Sequence, residues 1–159
     1  MVTQGTHAPE FTLQGICRGV EQEYRLVDFR GKWVILYFYP KDQTPGCTKE
    51  ACDFRDNLMT LQSMGAVVIG VSRDTVATHR RFIEKQGLPF ILLSDPEGKI
   101  SAEYEILKEK IQYGKTTVGL ERSTFLIDSQ GVIAFVWRGV SVSGHVHEII
   151  STLKNAQKS

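Results

Sequence analysis

Two cysteines, Cys47 and Cys52, share the run Tyr39-Pro40-Lys41-Asp42-Gln43-Thr44-Pro45-Gly46-Cys47-Thr48-Lys49-Glu50-Ala51-Cys52. Thr44 suits a helix N-cap, and Pro45 suits the first helical position, where its missing N–H is not needed. Gly46 leaves the backbone open to close approach. Cys47 then falls at the third helical position, where a capping box would place a carboxylate. A thiolate there faces unpaired backbone N–H groups and the positive end of the helix dipole. Both favour the anion, which is the nucleophilic form of cysteine. A buried cysteine is more often a small hydrophobe, but the Thr-Pro-Gly-Cys setting points to a reactive one.

The position of Cys52 limits what it can do. Five residues of ideal helix rise about 7.5 Å and turn about 140° past a revolution. No disulfide with Cys47 closes at that separation unless the backbone moves. Two readings stay open. Cys52 is a small helix residue, or it meets an oxidised Cys47 after the first helical turns unwind, since helix ends open most easily. A sulfenic acid condensing with a nearby thiol is ordinary cysteine chemistry. The spacing is not Cys-x-x-Cys, which weakens a direct dithiol-exchange reading.

The elements that position these residues follow from hydrophobic period. Ala8–Leu13 and Glu23–Leu26, separated by a turn region punctuated by Gly15 and Gly19, suggest a hairpin. Asp28–Lys32 reads as a turn or a single helical turn. Trp33–Tyr39 is apolar on both faces, as a covered central strand would be. Ala51, Phe54, Leu58 and Leu61 carry helical spacing from Cys47 to Met64, closed by Gly65. Ala66–Val71 is a second buried strand. Val76–Gln86 is a helix stopped by Gly87 and Pro89, Phe90–Leu93 a short strand, and Lys99–Leu107 a short helix. Glu109–Leu120 reads as a long loop. Arg122–Ile127 and Val132–Trp137 flank Asp128-Ser129-Gln130-Gly131 as a hairpin, and His145–Ala156 is a terminal helix. Early strand–helix alternation with a late hairpin implies an α/β domain, a central mixed sheet with helices on both faces.

The chain has 159 residues and a formal charge of +1. That length fits one domain spanning 1–159. The charge gives no reason to expect nucleic acid or a membrane surface as partner. Met1–Thr6 lacks the features of a signal peptide, and no apolar run is long enough to cross a bilayer. Three cysteines do not make a secreted disulfide framework, so a reducing cytoplasm is the expected location. Cys17, in a Gly-flanked loop, reads as a bystander thiol.

Other signals carry little. His145 and His147 point to different faces of a helix and cannot share a metal. His7 and His79 have no companion at ligand spacing. Gly114-Lys115-Thr116 fails as a phosphate loop because Glu109 stands where its first glycine belongs. Cys47 and Cys52 make a poor zinc pair.

Pro40-x-x-x-Thr44-x-x-Cys47-x-x-Glu50 resembles the active-site motif of peroxiredoxins. Cys52 matches the resolving cysteine of the peroxiredoxin Q, or bacterioferritin-comigratory, subfamily. Ala8-Pro9-x-Phe11-x-Leu13, Asp28-Phe29-Arg30-Gly31-Lys32 and Arg122-Ser123-Thr124-Phe125-Leu126-Ile127-Asp128 extend the likeness over nearly the whole chain. The resemblance implies a thioredoxin-like fold with an added N-terminal β-hairpin, and an antioxidant hydroperoxide reductase. Cys47 would attack the peroxide and become a sulfenic acid. Thr44 and Arg122 would orient the peroxide and stabilise the thiolate, Glu50 would orient the arginine, and Pro40 would shield the pocket. Cys52 would resolve the sulfenic acid within the chain, and thioredoxin or a similar dithiol donor would reduce the disulfide. No metal or organic cofactor is implied, and the chain would be a monomer or weak homodimer. Two rivals are a thiol–disulfide oxidoreductase and a redox-switched interaction protein.

Overall fold

A computed structural model describes residues 1–158. In chain order, the strands are β1 (Thr12–Cys17), β2 (Val20–Arg25), β3 (Trp33–Phe38), β4 (Ala66–Ser72), β5 (Ile91–Ser94), β6 (Leu107–Gln112), β7 (Lys115–Leu120), β8 (Ser123–Ile127) and β9 (Ile133–Arg138). The helices are α1 (Pro45–Asp56), α2 (Leu58–Ser63), α3 (Val76–Gln86), α4 (Lys99–Glu103) and α5 (His145–Gln157), with a 3-10 turn over Leu26–Phe29. No helix among the described residues is long and apolar enough to cross a membrane.

Seven strands form one sheet in the order β2-β1-β5-β4-β3-β8-β9. β3 runs parallel to β4 and antiparallel to β8, so the sheet is mixed. Its alternation sorts the core. Ile35 and Tyr37 face α1, α2, α3 and α5 through Ala51, Phe54, Leu61, Phe82, Ile149 and Leu153. Val34, Leu36 and Phe38 face the other side, which is closed by the 3-10 turn, α4 and the N-terminal segment. Both faces are covered, though four of the five helices lie on one of them. That explains why β3 reads as a continuous apolar run.

The N-terminal hairpin is present, but tighter than its alternation suggests, with the first strand later in sequence and the second starting earlier. Gly15 is not a turn residue: it lies inside β1, opposite Leu93. A Cβ there would come within 2.5 Å of the Leu93 side chain and 2.8 Å of the Leu92 carbonyl oxygen. Glycine is what lets β1 dock on β5. Cys17 likewise ends a strand rather than sitting in a loop. The helix expected over Cys47–Met64 is two helices, broken at Asn57, whose side-chain amide donates to the Asp53 carbonyl at 2.8 Å. The Lys99–Leu107 helix stops at Glu103, and Leu107 opens β6.

Glu109–Leu120 is no loop. It belongs to a separate two-stranded sheet of β6 and β7, joined by Tyr113 and Gly114, both at positive φ. That is the backbone of a tight hairpin turn matched to strand twist. The strands are almost wholly exposed, so burial imposes no strong period-two pattern on them. Gly114-Lys115-Thr116 therefore marks a hairpin tip and not a phosphate cradle.

Candidate active site

The carboxyl end of β3 delivers the chain to a short loop and then to the first turn of α1. Thr44 has the extended backbone of an N-cap (φ −79°, ψ 154°), and Pro45 opens the helix as expected. Its hydroxyl does not cap the helix, however: it donates to the Lys41 carbonyl at 2.9 Å, tightening the loop instead. Cys47 is the third helical residue and only 1% exposed.

Arg122, just before β8, reaches across to this turn. Its Nη2 donates to Cys47 Sγ at 3.3 Å and its Nη1 to Glu50 Oε1 at 2.7 Å. Residues three apart on a helix share a face, so one guanidinium spans both acidic groups. Gly46 finds its reason here, because a Cβ at that position would stand 3.2 Å from Arg122 Nη2. What approaches the open backbone is the arginine.

Glu50 is completely buried, and its Oε2 has no hydrogen-bond partner among the described residues. Burial is the larger influence and pushes its carboxyl up to about 7, against the pull of Arg122. Because the folded state favours protonated Glu50, this contribution to stability is complete below the ordinary carboxylate range. It is lost as pH rises through about 7. Burial opposes charge on Arg122, but Glu50 and then Cys47 outweigh it and hold the guanidinium above its usual value. Tyr37, behind the site on β3, is held well above its usual range by burial and by Glu50 and Cys47. Its hydroxyl stays neutral and also lacks a partner among the described residues.

The five sequence-predicted residues do not all meet. Cys47 and Arg122 touch, and Thr44 sits one turn before them. Pro40 is exposed and lines a groove of about 470 Å³ with Lys41, Arg73, Lys110 and Val118. Cys52 is half-buried, with Sγ 3.6 Å from Gln86 Oε1 of α3. Cys17, Cys47 and Cys52 are all free thiols, and unbroken helix separates the last two.

His79 does have companions, though none near in sequence. Its Nε2 lies 2.8 Å from the Leu93 carbonyl, which can only accept, and its Nδ1 lies 2.6 Å from Asp42 Oδ2. Tyr39 donates its hydroxyl to Asp42 Oδ1, and the Asp42 amide donates to Asp74 Oδ2 at 2.8 Å. Asp42, Asp74 and His79 bring ligand atoms within 4.8 Å of one another. Hydrogen bonds already engage them, so the cluster acts as a tether fixing the loop before Cys47. Sequence reasoning missed it because the partners stand in the loop after β3, just past β4, on α3 and on β5, with no local spacing to mark them. Asp42→Ala is expected to destabilise the fold by about 2–5 kcal/mol, because it leaves the buried Tyr39 hydroxyl and His79 Nδ1 each without its carboxylate partner, at about 1–3 kcal/mol apiece. Denaturant unfolding checks this, and a loss under about 1 kcal/mol would mean the tether is loose.

His145, at the start of α5, is buried against Trp137, with Nε2 2.8 Å from Thr124 Oγ1. Burial pushes it down to about 4, and His147 faces solvent, so the two histidines share nothing.

A mixed sheet presenting a buried thiol at a helix N-terminus, gripped by a fixed guanidinium, defines a cysteine-based enzyme. The AhpC/TSA family model matches residues 4–136. Peroxiredoxin Bcp of Bacillus subtilis (strain 168) is 47% identical over 151 residues, covering 95% of this chain and 94% of that one. The bacterioferritin comigratory protein of Xanthomonas campestris, in a study of its alkyl peroxide reduction activity, matches with TM-score 0.85 and 40% identity, covering 92% of this chain and 91% of that one. A cysteine-to-serine mutant of PrxQ from Xylella fastidiosa gives TM-score 0.90 and 35% identity over 99% of this chain and 98% of that one. The chain belongs to the AhpC/TSA family as a peroxiredoxin of the Bcp or Q kind, a thiol peroxidase on a thioredoxin-like fold.

Proposed function

We propose that the chain, acting as one domain, reduces hydrogen peroxide and organic hydroperoxides in the cytoplasm, with Cys47 as the attacking sulfur. The observation that carries this is the Arg122 guanidinium donating to Cys47 Sγ and to buried Glu50 together. The thiolate attacks the terminal peroxide oxygen. An S–O bond forms as the O–O bond breaks, and an alcohol or water leaves. Donors already aimed at the sulfur stabilise the charge that moves along this line. Thr44 would help orient the peroxide, with Pro40 at the edge of the approach. The alkyl peroxide chemistry of the Xanthomonas campestris relative supports an organic hydroperoxide among the substrates.

Cys52 resolves the resulting sulfenic acid, releasing water and leaving an intramolecular disulfide. Thioredoxin or a similar dithiol donor then reduces it. Resolution within one chain needs no second copy, so a monomer or weak homodimer suffices, and no step calls for a metal or organic cofactor.

The test is peptide mapping of the reduced protein after one equivalent of hydrogen peroxide with no reductant present. A Cys47–Cys52 disulfide is the expected product. A free Cys47 thiol would remove the chemical basis of the reading, whereas a Cys47–Cys17 disulfide would reassign only the resolving residue.

A further inference from the structure

The active site holds one cation for two acids. Arg122 donates one N–H to Cys47 Sγ and another to Glu50 Oε1, and its side chain is only 16% exposed. Were both acids ionised, this buried cluster would carry a net negative charge, and the unpartnered Glu50 Oε2 would be an anionic oxygen with no donor. Leaving a buried charged oxygen unsatisfied is among the costliest arrangements available.

The surroundings offer no relief. From α1, Asp53 adds negative charge and disfavours ionisation of Glu50. From β3, Tyr37 contributes a neutral hydroxyl in the same field. From α5, burial holds His145 neutral near physiological pH, with Glu148 opposing and Arg122 adding a smaller push in the same direction. Arg122 is the cation that answers both acids.

We propose that Cys47 and Glu50 share a single negative charge across the Arg122 fork, Glu50 carrying the proton while Cys47 is the thiolate, and that this proton goes to the oxygen leaving the peroxide. The inference rests on Cys47 being the attacking sulfur. Burial holding the Glu50 carboxyl near neutrality agrees with it.

The balance is complete. The thiolate attacks the terminal oxygen of ROOH, the S–O bond forms, and RO⁻ departs with the electron pair of the O–O bond. The peroxide's own proton stays on the sulfenic acid, and the Glu50 proton converts RO⁻ to ROH. Sulfur is now neutral. Arg122 is released from one anion as Glu50 becomes the other, so the site keeps one positive and one negative charge throughout. When the disulfide is later reduced to thiols, the Cys47 thiol passes its proton to Glu50 and becomes the thiolate again, which restores the starting state.

Two acids that share one charge lose their protons in steps that belong to the pair. The second-order rate of Cys47 oxidation in the wild type is therefore expected to be bell-shaped in pH. It rises as the pair loses its first proton and falls about tenfold per unit once the second is lost. Glu50→Gln keeps an oxygen for Arg122 but cannot ionise, so its profile should rise to a plateau with no alkaline fall. Glu50→Asp should restore the fall. A purely structural role for Glu50 would lower the rate evenly and leave the shape unchanged. An independent readout uses the wild type alone: one equivalent of hydrogen peroxide should remove the C=O stretch of a protonated carboxyl from the infrared difference spectrum, and Cys47→Ser should show no such loss. If Cys47 oxidises while the band persists, or if Glu50→Gln keeps the alkaline fall, the shared charge is wrong and the peroxidase reading survives. If Cys47 does not oxidise, that reading fails first.

Discussion

Cys47→Ser is expected to bring peroxide reduction down to the uncatalysed rate, a loss on the order of 10⁴-fold or more for removing a nucleophile. The structure makes this a chemical loss and not a folding one. Serine is smaller than cysteine, the site is 1% exposed, and Glu50 and the Asp42 tether remain to hold Arg122 and the loop. An alcohol is far less acidic than a thiol, so the guanidinium that supports a thiolate has no alkoxide to support. Nor can oxygen provide the polarisable sulfur lone pair that opens the O–O bond. Peroxide consumption with excess dithiol donor, alongside circular dichroism to show an intact fold, makes the comparison. Turnover within about tenfold of the wild type would place the attacking sulfur elsewhere.

Arg122 ties this reaction to the architecture. It enters from the strand that pairs with β3, while Cys47 enters from the loop that leaves β3. The guanidinium–sulfur contact is thus a direct product of β3 pairing with β8. Any change that shifts this register moves the cation away from the sulfur, even if both residues are retained. The tether among Asp42, Asp74 and His79 fixes the other side, holding the loop to β4, α3 and β5.

Much of this was legible because the signals were local. Thr44, Pro45, Gly46 and Cys47 state a helix start and its chemistry within four consecutive residues, and β3 announces its burial by an unbroken apolar run. Glu50 was expected beside Arg122 only through the resemblance to peroxiredoxins, because an arginine at the start of a strand carries no signal of its own. The rest depended on contacts with no sequence period. Asp42 and His79 stand on different elements, and nothing in either neighbourhood marks the other. Glu109–Leu120 looked like a loop because a hairpin standing away from the core has little to bury. Gly15 looked like a turn because close strand docking and positive φ both select glycine, and only coordinates separate the two causes.

Cys52→Ser is expected to leave the first oxidation of Cys47 at its wild-type rate while turnover supported by thioredoxin falls nearly to zero. The geometry explains why these effects should separate. Cys52 is not in the Arg122 site, and its nearest polar contact is Gln86 of α3. For resolution, the opening turns of α1 must unwind, carrying Cys47 out of its buried position. The opening has a natural limit. Phe54 stacks on Tyr37 at 4.6 Å between ring centroids and meets Phe90 at 6.4 Å, while Arg55 donates to the Gln86 carbonyl at 2.6 Å. Cys52 lies just before that anchor, at the border between the segment free to unwind and the one held in the core. Without its thiol, the sulfenic acid persists and meets a second peroxide, so sulfinic acid should accumulate at Cys47 in the mass spectrum. Normal thioredoxin-supported turnover of Cys52→Ser, with no sulfinic acid, would show that another thiol resolves Cys47 and that α1 need not unwind.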